Sequence, residues 1–439
     1  MVHQTLYPQA GVILEKIRGP FSSGDLKLRT TDPGDNPDVS FNYFKDRRDL
    51  WRCVQGMKTI IKVAESKSFS EFRFANQSVQ ALIDIMINTP VNMRPKHANA
   101  SSSLEQFCID TVMTLWHYHG GCQVGRVVDR DYKVLGVDAL RVVDGSTFYD
   151  SPGTNPQATV LMLGRVLGVD GLRVIDGSTF HDSPGTNPQV TVMMLGRRRW
   201  VHGYGVLLVL LLLAGILFFH APNYSFLRDA TSAPPVVYFD YIIIGGGTAG
   251  CALAATLSQG ANVLLLERGD SPYSNPNISN IRGFASTLQD AAPLSASQSF
   301  ISTDGVFNHR GRVLGGGTAL NAGYYTRASA AYVNQVGWDH KLVNESYEWV
   351  EKKMVFWPSV LQWQSAVRDG LLEAGVFPYN GFTYDHLYGT KVGGTIFDQQ
   401  GDRHTAADLL EYAVPRRITV YLNATVHRIL FRKNAVFVA

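Results

Sequence analysis

The stretch from Tyr238 to Glu267 limits the possible folds more than any other part of the chain. Tyr238 to Ile244 is a short apolar run that ends in Gly245-Gly246-Gly247-Thr248-Ala249-Gly250. An Ala- and Leu-rich stretch follows to Gln259, then Val263 to Leu266 and the acid Glu267. Strand, glycine turn, helix, strand and acid, in that order, predict a βαβ unit that cradles a dinucleotide. Gly245 permits the tight turn, Gly247 lets a pyrophosphate approach the backbone, and Gly250 lets the helix pack closely on the sheet. The helix opens at Thr248 and Ala249, and its first N–H groups face the phosphate charge. Glu267 lies 22 residues beyond Gly245, placed to accept hydrogen bonds from ribose hydroxyls, with Arg268 beside it.

That pattern alone does not separate one dinucleotide from another. A second glycine-rich segment adds to it: Gly311-Arg312-Val313-Leu314-Gly315-Gly316-Gly317-Thr318-Ala319-Leu320-Asn321-Ala322-Gly323. It is too dense in glycine for ordinary core, and its backbone donors suit a pyrophosphate or a ribityl chain, as nests of amides do.

The rest of the chain bounds the setting. With 439 residues, 45% of them hydrophobic, there is material for two or three domains with real cores. A formal net charge of +3 gives no basic field that would point to nucleic acid. Cys53, Cys108, Cys122 and Cys251 show no CxxC spacing, which argues against a structural zinc site, and no metal is expected. Sequons at Asn76, Asn99, Asn223, Asn277, Asn344 and Asn423 fit a secretory-pathway protein. Leu50, Val54, Met57 and Ile61 recur at helical spacing and predict an amphipathic helix over 46–65. Ser78 is placed to cap a second helix running to about Ile87, ended by Thr89 and Pro90.

Residues 134–165 and 166–197 are near-copies that differ at five of 32 positions. Two adjacent copies are too few for a solenoid and read as a duplication. Arg197 to Arg199 follow, then an apolar run from Val206 to Phe219. A positive flank before 14 apolar residues has the form of a secretory signal or an uncleaved anchor, here in mid-chain. The chain therefore divides into 1–165, a surplus repeat 166–197, a basic and apolar hinge 198–235, and a second half 236–439.

The two halves carry motifs of one family. GRVLGGGTALNAG resembles the first signature of the glucose-methanol-choline (GMC) oxidoreductases, which bind FAD. HRGRVLGGGTALNAGYY and FTYDHLYGTKVGGTIFDQQGDRHTAADLLEYA resemble the N-terminal half of that family's plant branch of HOTHEAD-like proteins and mandelonitrile lyases. TVMTLWHYHGGCQVG (111–125) and LRVVDGSTFYDSPGTNPQATVLMLGR (140–165) resemble the branch's C-terminal signatures. The resemblance implies an α/β fold: a Rossmann-like FAD-binding domain plus a partial α+β substrate domain, incomplete and reordered, with the C-terminal half first.

It also implies roles for individual residues. His119 matches the base that takes the substrate hydroxyl proton while hydride passes to the flavin, and an imidazole neutral near pH 7 suits that task. Asn155 matches a second active-site position that hydrogen-bonds the substrate oxygen. Asp144 and Gly145 fall where the family closes its C-terminal segment over the flavin. The implied FAD contacts are Gly245, Gly247, Thr248, Ala249, Gly250, Glu267, Arg268, Arg312, Val313, Gly316, Thr318, Asn321, Ala322 and Gly323, with Asp144, Gly145 and Asn155. Val426, in a strand ATVHRILF, adds a contact near the adenine. His117, on a strand, faces away from His119. Cys53 and Cys108 fall where plant relatives are able to form a disulfide, and the sequence leaves the pairing open. Asp176 and Asn187 of the second copy lack a preceding WHYHGG and are redundant.

The implied reaction is oxidation of a small-molecule alcohol; the alternatives are a cyanohydrin-cleaving lyase with structural FAD, and an inactive fragment. The order of the halves points to the tail of one gene copy joined to the start of the next. Missing interior segments leave strand edges unpaired. If Val206–Phe219 spans a membrane, the protein is anchored there, the halves lie on opposite sides, and His119 is kept from a flavin at Gly247.

Overall fold

The structure is a computed structural model, and it describes residues 11–74, 76–153, 155–169, 224–432 and 435–438. Val206–Phe219 and the second repeat copy lie outside the described residues. Among the described residues no helix is long and apolar enough to cross a membrane.

The first half is helical where its pattern predicts. Helix α1 spans Arg47–Glu65, with the Asp46 carboxylate accepting from the Arg48 N–H as its N-cap. Helix α2 spans Val79–Asn88, capped by the Ser78 hydroxyl at the Ala81 N–H and ended at Thr89. Helix α3 spans Leu104–Thr111, and a disulfide joins Cys53 on α1 to Cys108 on α3. Of the apolar face expected on α1, Leu50 is buried, while Met57 and Ile61 line an open cavity. The bridge closes a loop across 55 positions. Replacing both cysteines with alanine is therefore expected to cost about 2–4 kcal/mol, read as a lower urea midpoint under oxidising conditions and no change under reduction.

Helix α4, Gln157–Val169, closes the first half and packs on the second. There β1 (Leu227–Asp229), β2 (Tyr241–Ile244), β3 (Val263–Leu266) and a distant strand, Ile418–Leu422, form a parallel sheet. Helix α5, Thr248–Leu257, joins β2 to β3, so the expected strand–glycine–helix–strand unit is present; its first strand starts at Tyr241 rather than Tyr238. Strands β4 (Ser297–Ile301) and β5 (Phe307–Gly311) form an antiparallel pair in register from Ser297–Gly311 to Ile301–Phe307. With Ile418–Leu422 as β6, the parallel sheet runs β1-β6-β3-β2. Val263 pairs with both Tyr241 and Ile418. Among the described residues β2 pairs only with β3 and forms one edge of the sheet.

One core joins the halves. Ala158, Leu161 and Met162 of α4 are buried with Ala252 and Ala255 of α5 and with Val263, Leu265 and Val420 of the sheet. Each fully buried aliphatic side chain contributes roughly 1.5–3 kcal/mol. Gly164 makes the close approach possible, because a methyl there would lie 2.4 Å from the Ala249 carbonyl oxygen. The shared core forms between segments on either side of the hinge. Segments from both sides of it bury their apolar faces on each other.

Candidate functional site

Two glycine segments build the cradle. Gly245 has φ +98°, a left-handed conformation that glycine adopts without strain. A Cβ at Gly250 would sit 2.1 Å from the Gly245 carbonyl oxygen, so the third glycine is sterically required where α5 starts. A Cβ at Gly247 would meet nothing nearer than 4.0 Å, which leaves its face open to a ligand. Gly247 caps α5 without a side-chain hydrogen bond, so the first N–H groups, at Thr248 and Ala249, remain available to an anion. The second segment is bonded onto the first: the Gly315 N–H donates to the Gly246 carbonyl at 2.7 Å.

Glu267 ends β3 and ties the turn together. Its carboxylate accepts from the Gly246 N–H at 2.9 Å and from the Gly269 N–H at 2.8 Å. Burial raises its pKa, opposed by those two backbone donors. Each oxygen keeps a lone pair for a ribose hydroxyl. Arg268 donates to the Gly311 carbonyl and Arg312 to the Pro293 carbonyl, and neither forms an ion pair among the described residues.

The other residues expected at the cofactor take the following places. Val313 is buried against Ile278 and Ala319. Thr318 is fully buried; its hydroxyl donates to the Gly315 carbonyl and accepts from the Ala406 N–H, so it shapes the loop from behind. Gly316 has φ +56°, Gly323 is packed on Phe397, and Ala322 is exposed. Val426 lies in irregular chain: the strand ends at Leu422 because Asn423 turns left-handed at φ +56°, and pairing resumes only at Ile429.

The histidines line a second region, an open, mainly apolar cavity of about 1730 Å³ that also takes in Asp144, Gly145 and residues of α1. Strand β5 connects the two regions. Its His309 and Arg310 face the cavity, its Asn308 accepts from the Tyr118 hydroxyl, and its end runs into the glycine loop. Asp144 caps the turn Gly145–Thr147 by accepting from the Ser146 N–H at 2.8 Å.

His117 corrects the sequence reading. The segment is not a strand, because Trp116 stands at φ +58° and breaks the alternation, so His117 and His119 line the same cavity. His117 Nδ1 is buried without a hydrogen-bond partner. Burial, reinforced by the Lys16 ammonium, pushes the ring's pKa down to about 3, so it stays neutral. His119 Nδ1 lies 3.5 Å from the His117 carbonyl oxygen. Two more groups unmarked in the sequence share the cavity: Glu15, pushed up to about 7 by burial, and Lys16, pushed down to about 8 by burial and by Arg18.

Asn155 does not join the histidines in the cavity lining. Its amide donates to the Tyr324 carbonyl at 2.6 Å and its oxygen accepts from the Gln157 N–H at 2.9 Å. Gln157 in turn accepts from the Asn321 amide. Arg403 completes this chain: it donates to the carbonyls of Thr318 (3.1 Å) and Asn321 (2.7 Å), and burial pushes its pKa down to about 10. Asn155 and Asn321 thus meet through Gln157, on the glycine-loop side.

Comparison with known proteins completes the picture. The C-terminal GMC oxidoreductase family profile matches residues 20–164 and again 164–196, and the N-terminal profile matches 239–439. Protein HOTHEAD of Arabidopsis thaliana is 61% identical over 193 residues, 44% of this chain and 32% of its own length. An (R)-mandelonitrile lyase-like protein of the same plant is 52% identical over 241 residues, 52% of this chain and 43% of its own. A sinalpyl alcohol oxidase of Nesocodon mauritianus is 48% identical over 215 residues, 47% of this chain and 38% of its own. The chain thus spans well under half the length of these curated relatives. Among solved structures, formate oxidase of Aspergillus oryzae matches with TM-score 0.37 and 18% identity, over 44% of this chain and 40% of that one. With the profiles covering both halves and the glycine cradle open toward a pyrophosphate, the chain belongs to the GMC oxidoreductases, and its cofactor is FAD.

Proposed function

We propose that the protein oxidises the CH–OH group of a small alcohol, with a cavity histidine as base. The observation that carries this reading is the placement of His117 and His119 in one cavity that β5 links to the cradle. The pyrophosphate end of FAD would lie on Gly247, Thr248 and Ala249, its ribose at Glu267, and its ribityl chain along Gly316 and Asn321. When bound, FAD supplies the oxidant, accepting a hydride from the substrate carbon.

The chain's own residues handle the proton. His119 accepts it from the hydroxyl, with the neutral His117 ring beside it to hydrogen-bond the substrate oxygen. Lys16 opposes charge on the His117 ring and by the same position offsets negative charge growing on the substrate oxygen. Asn155 holds the glycine loop through Gln157 and is a positioning residue in this scheme.

The disulfide fits an oxidising compartment, and Asn76, Asn99, Asn277, Asn344 and Asn423 are exposed as glycan acceptors must be, so a secretory location belongs to the same reading. The test is the visible spectrum of the purified full-length chain under anaerobic titration with aliphatic and benzylic alcohols. Bleaching of bound flavin supports the proposal. Cyanide release from a cyanohydrin without bleaching would point to the lyase instead, and flavin retention with neither would mean a non-catalytic chain.

A further inference from the structure

The segment Arg403–Ala406 holds the back of the glycine loop, and its one imidazole has no role in the scheme above. Arg403 donates to the carbonyls of Thr318 and Asn321. The Thr405 hydroxyl lies 2.9 Å from where a Gly315 Cβ would be, and the Ala406 N–H donates to the Thr318 hydroxyl at 2.8 Å. Three successive contacts thus brace Gly315–Asn321 on the side away from the cofactor.

Between Arg403 and Thr405 stands His404, and both its ring nitrogens face carboxylates. Nδ1 is 3.0 Å from Asp408 and Nε2 is 3.7 Å from Asp398. The two acids come from different elements. Asp398 also anchors the turn 398–402, accepting from the N–H groups of Gln400 and Asp402 at 2.9 Å. Asp408 lies on the helical turn Ala406–Tyr412, and its other oxygen accepts from the Tyr273 hydroxyl at 2.5 Å, with the Tyr224 ring packed behind. Phe356 covers the imidazole at 4.7 Å. Arg403 points away, toward the carbonyls of Ile278 and Thr318, and Asp402 is bonded to Asn280.

We propose that His404, held as an imidazolium between Asp398 and Asp408, is a positioning residue for the cofactor cradle. It fixes Arg403 and Thr405 against the glycine loop, so that flavin retention weakens as pH rises. The proposal rests on FAD being the ligand of this cradle. Burial alone would favour the neutral ring, but the hydrogen bond and charge of Asp408 and the charge of Asp398 outweigh it, and the pKa is raised. A base whose folded-state pKa is raised gives its full contribution below its ordinary value. It loses that contribution as pH climbs through the raised value. The neutral ring releases its hold on Asp398, the turn 398–402 loosens, and the brace behind Gly315–Asn321 loosens with it.

The measurement is the FAD dissociation constant of the full chain, from flavin fluorescence, between pH 6 and pH 9. The wild-type chain is expected to bind roughly five- to tenfold more weakly at the alkaline end. His404→Gln should bind weakly and evenly at all pH values, whereas a merely structural histidine would lower affinity and leave the slope intact. Asp398→Asn retains an oxygen to anchor its turn, so it serves if His404→Gln does not fold; it should move the transition to lower pH. A flat wild-type profile, an unchanged slope in His404→Gln, or an unmoved transition in Asp398→Asn would overturn the proposal. Absence of flavin even at pH 6 would instead sink the cofactor reading, and the proposal with it.

Discussion

Gly164→Val is expected to destabilise the protein by about 3 kcal/mol and to strip it of flavin. The side chain has nowhere to go: a Cβ at this position would lie 2.4 Å from the Ala249 carbonyl oxygen and 3.1 Å from the Ala249 Cα. These are backbone atoms of the first turn of α5, the turn whose N–H groups face the cofactor. To make room, α4 must lift, and Leu161 and Met162 lose their burial against the sheet. Urea midpoints read the stability loss and absorbance of the purified chain reads the flavin. Gly260→Ala is the control, because a Cβ there meets nothing within 4 Å. Equal midpoints for the two variants would show that the halves do not depend on this contact.

Alanine at His119 is expected to slow alcohol-dependent flavin reduction by roughly 100- to 10,000-fold while leaving bound flavin in place. His117→Ala should cost less, because a ring held neutral down to about pH 3 positions the substrate rather than taking its proton. Because burial keeps His117 neutral down to about pH 3, the rate should show no inflection from this ring between pH 5 and pH 8. Single-turnover kinetics of both variants on one alcohol decide the matter. A larger loss at His117 would move the base away from the residue that the sequence motif suggested.

The βαβ unit was legible because glycine is demanded there by sterics that leave a mark in the sequence: a left-handed turn at Gly245 and a carbonyl contact at Gly250. The cap at Ser78 was legible for a similar reason, since its side chain bonds its own helix a few residues on. Contacts between distant residues leave no such mark. Nothing in the sequence marks that β6 enters the sheet beside β3, or that Gln157 meets Asn321 across 164 positions. His117 was misplaced because alternation assumes an extended backbone, and one left-handed residue, Trp116, cancels it. The apolar face of α1 was legible as a face, but periodicity reports an apolar side without saying what lies opposite. For Met57 and Ile61 that is a cavity.

The contact between α4 and α5 has a consequence for how such a gene can change. What holds the two blocks together is a pair of complementary surfaces, with Gly164 on the carbonyl of Ala249 and Leu161 and Met162 on the sheet beyond. None of that depends on which block is translated first, or on the path the chain takes between Val169 and Tyr224. Duplication, splitting or transposition of these blocks preserves the cradle as long as both surfaces are made in the same compartment. Any such change has to keep the complementarity of these two surfaces.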